Sequence, residues 1–508
     1  MTIRTAHIVG QRAIPVTVLA NYENGLPTVD ITGLQEASAR ELRVRVRGAL
    51  TNSGVSFPLG RITMAFVSPT QVNGTNVDLA AAVALLFELG YLGKNVTLVA
   101  DKLFFAELSL SGELRPCRGA LPAALAAKSL GLDIVVAVDN AREAALAGIT
   151  VIAPRTLNDL IEHIQVKTTC EFHGSVAPEA ALRTPGPDFS DVFGQPAAVR
   201  AMTVAAAGGH NILLIGGPGA GKTMLARRLS TVLPPLTHDE SLQVTTIHSV
   251  AGLTIGGGLV TARPFRAPHH STTPAGLIGG GVPARPGELT LAHNGVLMLD
   301  ELPEFNRQTL EYLREPTETR RVDLSRAAGT ITYDADTLVV GAMNPCPCGM
   351  KGNPRRSCRC TKTSIDGYDA RVSPILGIFD IRVTLPPIDF AIEADDHGPR
   401  VSSASLQAQV IAARERQNAR GMLNARRETN QLSGMSLSQE ARKLLEHAIE
   451  HNGLTGKDYD RMRRVSQTIA DLDGADVIDA LHVAEALTYV GPHAGQAGHT
   501  FEHAPRLS

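Results

Sequence analysis

The sequence predicts an α/β protein built round a core of alternating strands and helices, with a second α/β unit before it and a helical unit after it. Three observations predict this. An apolar strand, Asn211–Ile215, runs into a glycine-rich loop and then a helix from Met224. From about 188 to 390 strand and helix patterns alternate, as in a mostly parallel sheet. Beyond Pro386-Pro387 the β-branched runs stop, and residues 402–490 read as helices rich in Ala, Leu, Gln, Glu and Arg. At ~100–200 residues per domain, 508 residues suit about three domains.

The first unit, residues 1–165, shows β-rich runs at Pro15–Leu19, Ile62–Val67, Val96–Ala100, Asp133–Val138 and Thr150–Ala153. Helical patterns at Gly33–Thr51 and Val77–Leu89 lie between them, and a third, AREAALAG, joins the last two runs. Residues 166–187 lose periodicity and gain Pro and Gly, which predicts a linker. The core follows over 188–390 and the helical unit over 391–490. The Gly-, His- and Pro-bearing stretch 491–508 reads as a flexible tail.

Composition narrows the function classes. Hydrophobic residues make up 44%, too many for a disordered chain. With 48 basic and 50 acidic residues the net charge is −2, which excludes a globally basic nucleic-acid coat but not a local basic channel. Trp is absent and aromatics reach only 4%, against base-stacking platforms. No apolar run is long enough to span a membrane, and the N-terminus lacks a signal-peptide pattern, so a cytoplasmic location and no membrane partner are expected.

Gly216-Gly217-Pro218-Gly219-Ala220-Gly221-Lys222-Thr223 matches G-x-x-x-x-G-K-[ST] at every fixed position. Its glycines let backbone N–H groups turn toward phosphate oxygens, and the helix N-terminus adds positive partial charge. Lys222 reaches the terminal phosphates, and the Thr223 hydroxyl ligates Mg²⁺. A nucleoside triphosphate, ATP, with Mg²⁺ is the ligand this pattern takes. About 80 residues on, the strand Gly295–Leu299 ends in Asp300-Glu301. Asp300 is placed for the Mg²⁺ shell and Glu301 for polarising the attacking water. Thr337–Ala342 forms a further strand, and Asn344 just past its end can sense the γ-phosphate.

Directly afterwards, Cys346, Cys348, Cys358 and Cys360 form C-x-C-x9-C-x-C. Four thiolates can close a tetrahedral Zn²⁺ site, and Gly349, Gly352 and Pro354 permit the turn between the pairs. The competing reading is four thiols buried in a loop. This loop is polar and carries Arg355, Arg356 and Arg359, which favours zinc. Cys117 and Cys170 look incidental.

The order of P-loop, LAHNGVLMLDELPEF, SRAAGTITY and AMNPCPCG resembles the magnesium-chelatase-like AAA+ ATPases of the YifB and competence protein ComM family. The likeness covers nearly the whole chain. GLPTVDITGL and FAELSLSGELRPCRGALPAALAA resemble that family's N-terminal Lon-protease-like domain; DVFGQPAAVRAMTVAAAGGHN opens the AAA+ core; RRVSQTIADLDG and HVAEALTYV resemble the C-terminal helical lid domain. The resemblance implies a ring of identical subunits, a hexamer, that couples ATP hydrolysis to DNA branch migration or helicase-like work in competence-related recombination. It also implies that Thr261–Ser271 and Arg320–Thr332 are pore hairpins, so that Arg263, Arg266, Arg320, Arg321 and Arg326 face DNA phosphates. Surface ion pairing is the competing reading for each of these arginines.

Three departures follow from the same comparison. Gly377-Ile378 stands where the family pattern has Asp-Arg, the Arg resembling a trans-acting arginine finger; Arg371 or Arg382 is left to substitute, or hydrolysis is weak. Lys457 stands where relatives carry a sensor Arg, with Arg461 one helical turn on as the alternative nucleotide contact. NVDLAAAVALL and GALPAALAA hold neither the Ser nor the Lys of a Lon-type dyad, so the first domain is expected to be inactive as a peptidase and to serve structure or an unknown protein partner. Two alternatives stay open beside the DNA motor. One is an ATP-dependent protein remodeller like a magnesium-chelatase motor subunit. The other is a nucleotide-switched assembly protein with weak hydrolysis.

Overall fold

The computed structural model describes residues 2–93, 96–174, 187–254, 257–326, 329–387, 400–452 and 454–490. The expected tail 491–508, and the part of the expected linker over 175–186, lie outside them.

The first unit is a seven-stranded mixed sheet in the order β3-β4-β2-β1-β5-β8-β9. Its strands are β1 (Ile3–Val9), β2 (Arg12–Glu23), β3 (Thr28–Thr32), β4 (Arg61–Val67), β5 (Lys102–Phe105), β8 (Asp133–Val136) and β9 (Val151–Ile152), and the short pair β6 (Glu107–Leu108) and β7 (Leu114–Arg115) stands apart from it. β1, β2 and β4 pair antiparallel and the rest parallel. Alternation along the buried strands feeds two cores. Phe104 and Val135 face the helices Glu36–Asn52 and Asp78–Glu88, whereas Leu103, Phe105 and Ile134 face the alanine-rich helix Ala120–Ser129.

The run Val96–Ala100, expected as a strand, is a short helix, and the strand is the next run, β5. A short apolar stretch does not by periodicity alone separate strand from helix. The start of the expected linker is not free chain. Ala153 N–H donates to Cys170 O at 2.8 Å and Phe172 N–H to Val151 O at 2.8 Å, so residues 170–172 extend the edge beside β9.

The core is a five-stranded sheet in the order β11-β14-β17-β10-β18, all parallel. Its strands are β10 (Ile212–Gly216), β11 (Phe265–Arg266), β14 (Val296–Leu299), β17 (Leu338–Met343) and β18 (Ile381–Leu385). Two small hairpins, β12 (Gly279–Gly280) with β13 (Arg285–Pro286) and β15 (Arg321–Arg326) with β16 (Gly329–Asp334), project from it. Ile212, Leu214, Met298 and Val340 face one hydrophobic core; Leu213, Leu297, Leu299 and Val339 face the other. Leu406, Val410, Val465 and Ile469 of the C-terminal helices Ser403–Ala419 and Gly456–Leu472 join the first of these cores. His210 ties that helical unit to the sheet, bonding Asp380 through Nδ1 at 3.0 Å and Thr468 Oγ1 through Nε2 at 2.8 Å.

Among the described residues, hydrogen bonds join the first unit to the core. Gly119 N–H donates to Ser249 O at 3.2 Å. At the β1–β2 turn, Gln11 donates to the Asp334 carboxylate, and Asp334 N–H returns a bond to Gln11 Oε1 at 2.9 Å, which pins the turn to the β15–β16 hairpin.

Candidate nucleotide-binding and hydrolysis site

The strand order builds the site. β17 lies between β10 and β14, so the carboxyl ends of three parallel strands deliver the glycine loop, Asn344 and Asp300-Glu301 to one crevice. Gly219 and Gly221 hold φ of 78° and 86°, a left-handed geometry that side chains rarely adopt, and Gly221 caps the helix Lys222–Val232.

Lys222 Nζ donates to Gly216 O at 2.6 Å, Gly217 O at 3.0 Å and Asn344 Oδ1 at 3.0 Å. Burial pulls its pKa below the usual lysine range, opposed by the Asp300 and Glu301 charges. The ammonium is therefore held at the mouth of the loop, able to exchange carbonyl partners for phosphate oxygens. Thr223 Oγ1 donates to Asp300 Oδ2 at 2.7 Å, and Asp300 Oδ1 accepts from Glu301 N–H at 2.9 Å. A hydroxyl and a carboxylate at this separation fit a Mg²⁺ shell. Glu301 has φ of 51°, a strained value for a non-glycine residue, at the tip of β14.

One residue at this site escaped the sequence reading. His270 Nδ1 lies 3.5 Å from Glu301 Oε2, its ring edge-on to Phe305 and tilted against His269. Parallel pairing of β11 with β14 brings the segment after Arg266 beside the acidic strand tip. The sequence signal is the adjacent pair His269-His270 four residues past that edge strand.

The other expected site residues go elsewhere. Arg461 donates to Asp380 Oδ1 at 3.3 Å, Asp458 Oδ1 at 2.9 Å and Gly377 O at 2.9 Å. Asp380 in turn lies beside Asn211, where β10 begins. Lys457, Arg461 and Ile378 thus line a polar cavity of about 530 Å3 at the amino-terminal end of the sheet, away from the loop at its carboxyl end. Lys457 and Arg461 therefore stand away from the glycine loop, because the helical unit meets the sheet at the end where β10 begins. Ile378 is buried in the apolar core.

Of the arginines expected to meet DNA, three are engaged inside the fold. Arg263, only 8% exposed, donates to Pro234 O, Asn294 O and Glu240. Arg266 makes a two-point pair with Glu288 at 2.6 and 2.8 Å. Arg320 pairs with Asp336 at 3.1 Å. The segment Thr261–Ser271 is not a hairpin: Phe265 and Arg266 form the edge strand β11, since Val296 N–H bonds Pro264 O at 2.8 Å. Arg320–Thr332 does form most of a hairpin, β15–β16, where Arg321 is 65% exposed and Arg326 bonds Gly281 O at 3.0 Å.

The four cysteines converge. Sγ of Cys346 lies 3.5 Å from that of Cys348 and 3.7 Å from that of Cys358, with Cys348 to Cys358 also 3.7 Å. All four sulfurs lie within 4.8 Å of one another. Backbone N–H groups of Arg359 and Met350 bring the Cys348 thiol down to about 6.

A glycine loop between strand and helix, with Thr223 on that helix facing Asp300 and Glu301 at the tip of β14, is the arrangement of a P-loop nucleoside-triphosphate site. Known proteins agree with this class. The model for magnesium chelatase subunit ChlI matches residues 188–392, a second ChlI model matches 18–140, and the ChlI C-terminal model matches 400–490. YifB of Salmonella typhimurium is 39% identical over 500 residues, covering 96% of both chains. Competence protein ComM of Haemophilus influenzae is 36% identical over 491 residues, covering 94% of this chain and 95% of that one. DNA replication licensing factor mcm7 of Schizosaccharomyces pombe is 29% identical over 138 residues, 27% of this chain and 16% of its own. The chain belongs to the magnesium-chelatase ChlI-like family that includes YifB and ComM. No helix among the described residues is long and apolar enough to cross a membrane.

Proposed function

We propose that this chain is an AAA+ ATPase that assembles with copies of itself into a hexameric ring and couples ATP hydrolysis to remodelling of branched or single-stranded DNA in the cytoplasm. The convergence of Lys222, Thr223, Asp300, Glu301 and Asn344 on one crevice is the observation that carries the ATPase reading. Lys222 grips the terminal phosphates, Asn344 senses the γ-phosphate through the same amine, and Thr223 with Asp300 holds Mg²⁺. Glu301 accepts the proton of the attacking water. Bound there, Mg²⁺ would supply neutralisation of the phosphate charge.

Lys457 and Arg461 serve a neighbouring subunit in this reading, because they stand at the end of the sheet opposite their own loop. The DNA reading draws on the full-length likeness to a protein named for competence and the partial likeness to one named for DNA replication. The exposed Arg321 on the β15–β16 hairpin supports it. The four-cysteine loop takes Zn²⁺. The first unit is a Lon-protease-like domain without peptidase activity, and the helical unit is the lid. The deciding experiment measures ATP turnover with and without fork DNA, alongside mass in the presence of ATP. Stimulated turnover in a ring supports the proposal; a monomer indifferent to DNA refutes it.

The burial of Ile378 favours a second reading, a nucleotide-switched assembly protein with weak hydrolysis. Equal turnover for the unmutated chain and Glu301→Gln would select it.

A further inference from the structure

The four-cysteine loop touches the phosphate-binding loop. Gly349, inside the cysteine loop at φ of 75°, lies against Pro218, and a Cβ added there would fall 2.5 Å from Pro218 Cδ. A Cβ on Gly217 would meet Gly349 O at 3.1 Å. Two residues after Asn344, which holds Lys222, the same turn begins: Gly349 N–H donates to Cys346 O at 2.9 Å. The second and third residues of the phosphate loop therefore rest on the backbone between Cys348 and Met350.

The sulfurs are arranged for a soft divalent cation. Four thiolates about 2.3 Å from a common centre sit about 3.8 Å apart at tetrahedral corners. The sulfur pairs Cys346–Cys348, Cys346–Cys358 and Cys348–Cys358 are separated by 3.5, 3.7 and 3.7 Å. A disulfide needs about 2.05 Å, and all four cysteines are free. Backbone N–H groups already point at sulfur, among them Lys351 to Cys346 at 3.3 Å and Cys348 to Cys360 at 3.4 Å. Such donors around thiolates orient the ligands and offset their charge. Cys346 is 0% exposed. Neither Cys346 nor any other described residue of the loop belongs to the neighbouring hydrophobic core, so apolar burial does not account for the convergence.

We infer that Cys346, Cys348, Cys358 and Cys360 form a Zn²⁺ knot that props the phosphate-binding loop through Gly349 and Pro218, so that metal occupancy sets nucleotide affinity. The coupling rests on the reading of the glycine loop as an ATP site; the metal site does not. Without the cation the four thiols lose their common centre, the turn at Gly349 relaxes, and Gly217 and Pro218 lose the surface that fixes their N–H groups. With zinc bound, the loop is set before nucleotide arrives.

The test uses the full chain, purified under reducing conditions, with zinc counted by mass spectrometry and affinity read with a fluorescent ATP analogue. The expected result is one zinc per chain. Chelator-stripped protein should bind the analogue about tenfold more weakly, the equivalent of one lost charge-assisted hydrogen bond to phosphate, and added Zn²⁺ should restore binding. Gly349→Ala separates the two parts: it keeps every ligand, so it should retain zinc and still lose affinity. Zinc far below one per chain overturns the metal site. Full zinc with unchanged affinity in both stripped protein and Gly349→Ala overturns the coupling alone. A zinc-loaded chain that never binds the analogue overturns the coupling together with the ATP reading beneath it.

Discussion

Thr223 Oγ1 and Asp300 Oδ2 are 2.7 Å apart, although 77 residues separate them in the chain. The contact spans from the helix after β10 to the tip of β14, with β17 passing between the two strands. It is the pair expected to share Mg²⁺. Thr223→Ala removes one partner, at a cost of about 1.5–3 kcal/mol for a bond to a charged group. The Mg²⁺ concentration giving half-maximal turnover should then rise about tenfold or more. A magnesium titration of the ATPase rate checks this, and an unchanged midpoint would remove Thr223 from the metal shell.

Lys222 and Glu301 should separate binding from chemistry. Lys222→Ala loses the ammonium that Gly216, Gly217 and Asn344 hold in place, so binding of a fluorescent ATP analogue should collapse. Glu301→Gln keeps that ammonium and should bind normally, with turnover down about 10²–10⁴-fold, the usual contribution of a general base. Tight binding by Lys222→Ala would be incompatible with the proposed site.

His270 stands 3.5 Å from Glu301 and touches no other expected nucleotide contact. It can position the glutamate rather than the phosphates. His270→Ala should lower the turnover number several-fold and leave analogue affinity unchanged. His270→Asn, which retains a polar partner for the carboxylate, should recover part of the rate. A loss of affinity instead of rate would place His270 in a different role.

The hairpin arginines and the internal ones should behave oppositely. Arg321→Ala with Arg326→Ala should leave thermal stability nearly untouched. If both contact phosphates, the slope of log affinity for single-stranded DNA against log salt should become shallower by about 1.4. Arg263→Ala strips partners from Glu240 and from three backbone carbonyls, so it should lower the melting temperature instead. Calorimetry and a salt titration of DNA binding distinguish the two sets.

Asp380 gives the fold an acid limit. Burial would raise its pKa, but the His210 hydrogen bond, with Arg464 and Arg461 nearby, more than offsets this and brings it from 3.8 to about 2. A depressed carboxylate contributes stability above its unfolded value, and that contribution fades as pH falls through the folded value. The carboxylate should therefore help at pH 5 and fail between about pH 4 and pH 2. Asp380→Asn should cost about 3 kcal/mol near neutral pH, because a buried carboxylate that serves both His210 and Arg461 is lost, and should flatten the acid limb. Denaturant melts at pH 7 and pH 3 test both parts.

Much of this crevice was legible because its residues are contiguous. The glycine loop, Asp300-Glu301 and Asn344 each sit where an apolar strand stops, and a parallel sheet brings such stops to one edge. His270 was not legible, because only the pairing of β11 with β14 places it beside Glu301. Lys457 and Arg461 read as nucleotide contacts from their neighbours in sequence. Which end of the sheet the helical unit covers depends on tertiary packing against His210 and Asp380, which no local pattern records. Arg263 and Arg266 were expected to face DNA phosphates because their acidic partners, Glu240 and Glu288, lie more than 20 residues away and no local pattern pairs them. In the first unit, Val96–Ala100 was too short and too apolar for its period to decide between helix and strand.

The grip of Gln11 on Asp334 has a mechanical corollary. Two hydrogen bonds to one residue tolerate only a small relative displacement before both are lost. Any stroke that swings the arginine-bearing ribbon must either carry the amino-terminal sheet with it as ballast or snap this clasp on each cycle.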